Sequence, residues 1–332
     1  MLRPAPAALA EPRPPARTAP RAADAGPQTS LIVQALPRWA LLDTKNVGRE
    51  EERGFAAGAA LFALHEVVRA DPPWLGALRM RQALAAAAVC ARLMRLREGE
   101  AGLRDAHLLT RPGDDPGPAG RLYRAWREFA SRPARLEQLT LARLAHNLRL
   151  PEPLPVRLGP GKGSPIAAAA EAARAVAEQV TTDGPAEDAF GLMLADTVLA
   201  HQLGWPVPIP LLATAMSHPS LKVGPERRRP RPEDVGWLAS CEAAYAFAVA
   251  AAHARAVDLA RRADRMLVAA GKVRTRGGEG GMRALLNDDA VAATTLKWLG
   301  SERAARRLLE RLEELGAVRE LTGRRVFRLY GL

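Results

Sequence analysis

The fold class is decided by the stretch L-G-A-L-R-M-R-Q-A-L-A-A-A-A-V-C-A-R-L-M-R-L-R, Leu75 to Arg97. Its apolar residues, such as Leu78 and Val89, recur at helical spacing, while arginines such as Arg81 fall on the remaining surface. Alanine has the highest helix propensity of all residues, and four alanines follow one another here. The stretch therefore predicts a long amphipathic helix, and it sets the pattern for most of the chain.

The composition extends this prediction to the whole molecule. The chain has 332 residues, of which 48% are hydrophobic and only 5% aromatic, which favours closely packed helices over sheets of β-branched and aromatic residues. Two cysteines, Cys90 and Cys241, are too few for a disulfide framework or a cysteine-based metal site. So few cysteines fit a reducing compartment, and we expect a mostly α, cytoplasmic protein. Charged residues interrupt each apolar run before it reaches the length of a membrane span, so no membrane contact is expected.

Proline and glycine divide the chain into segments. Residues 1–30 hold scattered prolines and predict a disordered arm. A Pro- and Gly-rich connector, Leu150 to Pro165, separates an N-terminal helical half (31–150) from a second half (151–270) of a multi-helix body. We expect this body to form homo-oligomers or to bind a partner.

The last segment, Gly281 to Leu332 (the terminal segment), predicts a C-terminal winged helix-turn-helix with a short two-stranded wing. A first helix holds Met282 to Leu286, and Val291 to Leu299 predicts a second. The third helix starts after the N-cap Ser301 and ends at Gly316, in positions that suit a hydroxyl cap and a left-handed residue. Two strands follow, Ala317 to Leu321 and Val326 to Tyr330, with Gly323 in the turn between them.

Basic residues predict the ligand of this segment. The net charge is +12, and the final 62 residues, 271–332, are the most charge-dense basic region of the chain. An arginine-rich composition, however, raises the charge of any protein. Arginines on a third helix and on a wing lie where phosphates and base edges of double-stranded DNA are contacted. The predicted DNA-binding residues are Ser301, Arg303, Arg306, Arg307, Arg311, Arg324 and Arg325.

Several long motifs resemble a known family. These are F-A-A-G-A-A-L at Phe55 to Leu61, R-P-G-D-D-P-G-P-A-G-R at Arg111 to Arg121, W-P-V-P-I-P-L-L-A at Trp205 to Ala213 and the ending Gly316 to Leu332. By them the chain resembles the bacterial family called domain of unknown function 1403, over nearly all of residues 31–332. That family brings no activity or catalytic residue. The segment Ser301 to Arg324 is also similar to the winged helix appended to some Fic-domain proteins, which implies a fold only, since the Fic catalytic motif is absent.

An enzyme is the alternative prediction. Asp105, His107, Asp114 and Asp115 could ligate a divalent metal or share acid and base roles. The same D-D-P-G sequence is also typical of a helix-capping turn, in which the carboxylates accept backbone N–H bonds. A protein-binding adaptor is a third possibility, and no cofactor is expected, because the chain has no phosphate loop with the required spacing and no dinucleotide fingerprint.

Asp196 lies within an apolar helix before the Trp205 turn. It could be a buried ionic group, or it could brace the following proline loop by accepting hydrogen bonds.

Overall fold

The computed structural model describes residues 32–111, 113–150, 156–158, 163–180, 184–271 and 278–332, and these belong to one compact unit. The predicted arm 1–30 lies outside the described residues. So does most of the predicted connector between residues 150 and 165. The positions of the predicted domain boundaries therefore stay predictions.

The fold is mostly helical, as the alanine-rich patterns predict, with one small sheet. The helices are α1 (Glu50–Ala70), α2 (Leu75–Leu93), α3 (Glu100–Leu108), α4 (Gly117–Phe129), α5 (Gln138–Asn147), α6 (Pro165–Gln179), α7 (Pro185–Gln202), α8 (Leu212–Ala215), α9 (Trp237–Ala270), α10 (Gly278–Asn287) and α11 (Glu302–Glu314). The strands are β1 (Val291–Ala292), β2 (Arg319–Glu320) and β3 (Leu329–Gly331). Among the described residues, no helix is both long enough and apolar enough to cross a membrane.

Helix α2 lies at the centre of the packing and contacts α3, α4, α7, α8, α9 and α10. Its alanines, such as Ala86 and Ala87, are fully buried, and their small side chains let neighbouring helices approach closely on several sides. Around it, α1 packs along the 34-residue helix α9, and α6 packs against α7. This packing brings the C-terminal elements onto the body through α10.

Asp196 braces the loop that follows its helix, which is one of the two roles expected from the sequence. Its Oδ2 accepts hydrogen bonds from the backbone N–H groups of Leu211 (2.7 Å) and Leu212 (3.2 Å), and its Oδ1 accepts one from the Tyr245 hydroxyl (3.0 Å). The carboxyl is fully buried, and burial raises its pKa to about 7 although these hydrogen bonds act to lower it. The side chain thus satisfies backbone N–H groups at the start of α8, which have no partner within that helix.

The sheet is antiparallel with strand order β1-β3-β2. The predicted second helix, Val291 to Leu299, is wrong: the chain there forms β1 and then two 3-10 helices, Ala293–Thr295 and Lys297–Leu299. The Thr295 hydroxyl donates to the Ala292 carbonyl at 2.8 Å, and such local bonds compete with an α-helix. The two predicted strands of the hairpin exist but are shorter than expected, at 319–320 and 329–331.

Candidate nucleic-acid interface

Helix α11 forms as the sequence predicts. The Ser301 Oγ accepts a hydrogen bond from the Ala304 N–H at 3.1 Å, which caps the first turn. One face buries Ala305, Leu308, Leu309 and Leu312, and Gly316 follows the helix with a φ of 65°. The opposite face, which carries the arginines, is exposed to solvent.

The four predicted arginines of α11 differ in their partners. Arg306 pairs with Glu302, and Arg311 pairs with Glu314 at 2.8 Å. Arg303 and Arg307 are exposed and have no ion-pair or hydrogen-bond partner among the described residues. These two guanidinium groups can therefore meet an external anion without first breaking a contact within the protein.

Glutamates on the same helix were overlooked in the sequence-based prediction. Glu310, Glu313 and Glu314 follow the arginines toward the C-terminal end of α11. Their carboxylates offset the positive charge there, so the excess of positive charge lies on the first two turns. Counting acidic residues along the same face would have found this from sequence alone.

We refer to the loop between β2 and β3 as the wing, after the sequence prediction, and its two predicted arginines also differ. The Arg324 guanidinium donates to Asp105 of α3 at 2.5 Å, whereas Arg325 is exposed and has no such partner in the part of the chain that the structure describes. Glu320 shapes the turn: burial acts to raise its pKa, but hydrogen bonds from Thr322 and the Gly323 N–H hold the pKa below its ordinary value. The carboxylate that orders the wing is thereby kept ionised.

Helix α11 and the wing line one cavity of about 230 Å³. Glu302, Arg306 and Glu310 line it from the helix, and Arg325 and Phe327 line it from the wing. Helix and wing are thus close enough to act on one ligand.

Two adjacent aspartates, missed in the sequence analysis, attach the terminal segment to the body. Asp288 accepts two hydrogen bonds from Arg127 of α4 (2.6 and 2.7 Å). Asp289 accepts two from Arg104 of α3 (2.5 and 3.2 Å) and is 1% exposed. Arg81, which we expected on the surface, also lies near Asp289 (3.8 Å) and donates to the Leu332 oxygen. Two adjacent aspartates between two apolar segments were the signal in the sequence that could have revealed these contacts.

Three of the four residues of the alternative enzyme prediction, Asp105, His107 and Asp115, are engaged in contacts with other side chains or with the backbone. His107 packs edge-on against Tyr123, with ring centroids 5.5 Å apart. Its pKa is lowered to about 4, first by burial and then by Arg127 and Arg124. Asp105 is the partner of Arg324. With this lowered pKa, His107 is a neutral imidazole at neutral pH.

Asp114 and Asp115 lie in the turn before α4. Asp115 accepts hydrogen bonds from the Gly117 N–H (3.1 Å) and from Arg121 (2.5 Å), as a capping carboxylate does. Asp114 is exposed, and its side chain has no hydrogen-bond partner among the described residues. Within the described ranges, no group of three or more His, Cys, Asp or Glu side chains could hold a metal ion.

Comparison with known proteins places the chain in a family. The model of the family described as "Protein of unknown function (DUF1403)" matches residues 27–332. No curated protein matches the chain. The resemblance expected from the motifs is confirmed for this family.

Proposed function

The chain belongs to the family described as "Protein of unknown function (DUF1403)", and on that premise we propose that its terminal segment binds double-stranded DNA as a winged helix. The observation that carries the proposal is that α11 and the basic wing line the same cavity. A winged helix uses these two elements together, one in the major groove and one on the adjacent backbone. Regulation of transcription or of plasmid maintenance would suit such a protein.

The order of elements supports a winged helix. The chain runs through α10, β1, two 3-10 helices, α11, β2 and β3, and β3 lies between β1 and β2. A hairpin that follows a helical unit in this way is the arrangement that a winged helix requires. The 3-10 helices occupy the place of the second helix, and Gly300, with a φ of 92°, supplies the turn before the third.

Charge and exposure narrow the proposed contact. Arg303, Arg307 and Arg325 are the best candidates for phosphate contacts, because each is exposed and has no partner among the described residues. Arg306 and Arg324 would exchange a carboxylate for a phosphate on binding. We therefore place the main phosphate contacts on the first two turns of α11 and at Arg325.

The test is DNA affinity as a function of salt. Each phosphate contact releases counterions, so log Kd changes with log salt concentration by about 0.9 per contact. Binding of a duplex to the wild type and to the triple variant Arg303→Ala, Arg306→Ala, Arg307→Ala should differ by at least about tenfold in affinity, with a shallower salt dependence for the variant.

A matched control removes the same charge elsewhere. The triple variant Arg38→Ala, Arg49→Ala, Arg69→Ala takes three exposed arginines from around α1, and it should bind DNA nearly as the wild type does. Binding that is undetectable, insensitive to salt, or equally weakened by both triple variants would contradict the proposal.

A protein-binding adaptor is the second candidate. Val326 and Phe327 of the wing are 58% and 63% exposed, and Phe327 has a φ of 58°, a conformation that costs energy for a bulky residue. Exposed apolar side chains of this kind are common at protein interfaces. Partner binding through them would change little with salt, which separates the two functions in the same titration.

A further inference from the structure

A second basic cavity lies away from the terminal segment, between α4 and α5. It has a volume of about 370 Å³ and is lined by Arg121, Arg124, Ala125, His146, Asn147, Arg149 and Leu150. No carboxylate is among these lining residues, and three of them are arginines. We refer to this cavity as the α4–α5 cleft.

The loop before α4 fixes one wall of the α4–α5 cleft. Asp115 binds the Arg121 guanidinium and also accepts from the Gly117 N–H, so the arginine is held against the start of its own helix. Gly120 lets α4 approach α3 closely, because a Cβ there would lie 2.9 Å from the Ala106 carbonyl oxygen. The R-P-G-D-D-P-G-P-A-G-R motif thus orients an arginine that the proposed DNA contact does not use.

Arg149 forms the opposite wall in an unusual conformation. It follows the C-cap of α5 with a φ of 58°, and the Leu150 N–H closes the motif on the Ala145 carbonyl at 3.0 Å. Glycine is the residue of lowest strain at this position. An arginine in its place is a strained residue beside a cavity, a combination that is frequent at ligand-binding sites.

Two of the three guanidinium groups are available to a ligand. Neither Arg124 nor Arg149 has a hydrogen-bond or ion-pair partner among the described residues, and both are exposed. The nearby Glu128 carboxylate is engaged by Arg132 and by the Asn147 amide. Asp115 is paired with Arg121, so the positive charge that remains for a ligand is that of Arg124 and Arg149.

From these observations we infer that the α4–α5 cleft binds a small molecule that carries phosphate groups. Guanidinium groups match phosphate oxygens with paired hydrogen bonds, and the two unpaired positive charges of Arg124 and Arg149 favour a multivalent phosphate group over a monovalent anion. The volume of about 370 Å³ lies in the range of small-ligand sites. This inference is independent of the DNA-binding proposal, since it uses different residues.

Calorimetric titration of the full chain with inorganic pyrophosphate tests the inference. We expect saturable binding of one pyrophosphate per chain, weakened by about tenfold or more in Arg149→Gly and in Arg124→Gln. Glycine relieves the strain at position 149, so Arg149→Gly should be at least as stable as the wild type, and a loss of binding would not reflect unfolding.

The chain offers a closely matched control. Arg95 follows the C-cap of α2 in the same way, with a φ of 57°, but lines a different cavity. Arg95→Gly removes the same charge from the same helical position and should leave pyrophosphate affinity unchanged.

Absence of saturable pyrophosphate binding, or equal weakening by Arg95→Gly and Arg149→Gly, would overturn the inference. A parallel titration with duplex DNA distinguishes the phosphate sources. If Arg149→Gly weakens DNA binding while pyrophosphate does not bind the wild type, the cleft is a DNA contact and the small-molecule inference is wrong.

Discussion

Arg324 of the wing and Asp105 of α3 form an ion pair, with the guanidinium nitrogen 2.5 Å from the carboxylate oxygen. One predicted DNA-binding residue is thus bound to one residue of the alternative enzyme prediction. Both side chains are partly exposed, at 49% and 22%, so the pair itself adds little to stability. The ion pair matters for the proposed DNA contact, because Arg324 must leave Asp105 before it can bind a phosphate.

Asp105→Asn should release Arg324. Under the DNA-binding proposal we expect severalfold tighter binding, and a log Kd against log salt slope that steepens by about 1, because one more phosphate contact forms. Asp71→Asn is the control: Asp71 is an exposed aspartate with a φ of 43°, which asparagine tolerates. Weaker binding by Asp105→Asn would show instead that the ion pair holds the wing in its binding position.

Asp289 should contribute strongly to stability. It is 1% exposed and bound by Arg104, and removing one partner leaves a buried charge without compensation. We expect Asp289→Asn to lower the free energy of unfolding by about 3 kcal/mol in urea denaturation. Asp114→Asn, at an exposed side chain without a partner among the described residues, should change it by less than about 0.5 kcal/mol. A loss below about 1 kcal/mol for Asp289→Asn would contradict this account.

Local signals in the sequence predicted α11 well, and long-range contacts explain what they missed. Ser301 and Gly316 mark the helix ends, and the apolar spacing between them needs no knowledge of the tertiary structure. In contrast, β1 has two residues and exists because Val291 pairs with Tyr330. A strand this short leaves no period in the sequence, so its residues were taken for part of a helix.

The candidate site shows the same division. The exposure of Arg303 and Arg307 follows from the helical period. The pairing of Arg324 with Asp105 and of Arg81 with Asp289 joins residues far apart in the chain, which no local pattern reveals. Arg81 was accordingly predicted on the surface, although it lies where the terminal segment meets α2.

Asp196 should make stability depend on pH. Burial raises its pKa to about 7 in the folded protein, above about 3.9 in the unfolded chain. The folded state then binds more protons between these values, so its stability falls as pH rises from about 4 to about 7. Relative to Asp196→Asn, the free energy of unfolding of the wild type should fall by up to about 4 kcal/mol over this range.

The difference between wild type and variant is the quantity to measure, by urea unfolding at several pH values. His107 has the opposite effect: because its pKa is lowered to about 4 in the folded protein, the stability of the protein falls as the pH falls below about 6.5. Because both proteins contain His107, its effect cancels in the difference. The stability difference between the wild type and Asp114→Asn serves as the reference. If the difference between the wild type and Asp196→Asn is equally independent of pH, Asp196 is ionised over the whole range from about pH 4 to about pH 7, contrary to this prediction.

Gly120→Ala tests whether the close approach of α4 to α3 positions Arg121. A Cβ at residue 120 would lie 2.9 Å from the Ala106 carbonyl oxygen, and the Pro116 ring lies closer still. Neither group is the end of a flexible side chain, so α4 must shift, at a cost of about 1 to 3 kcal/mol. Gly58→Ala in α1, where a Cβ meets nothing within 4 Å, should instead stabilise by about 0.5 to 1 kcal/mol. If the α4–α5 cleft depends on this approach, the pyrophosphate affinity of Gly120→Ala falls under conditions in which the variant remains folded. The affinity of Gly58→Ala is then unchanged. A folded Gly120→Ala variant with wild-type affinity would show that Arg121 is positioned by Asp115 alone.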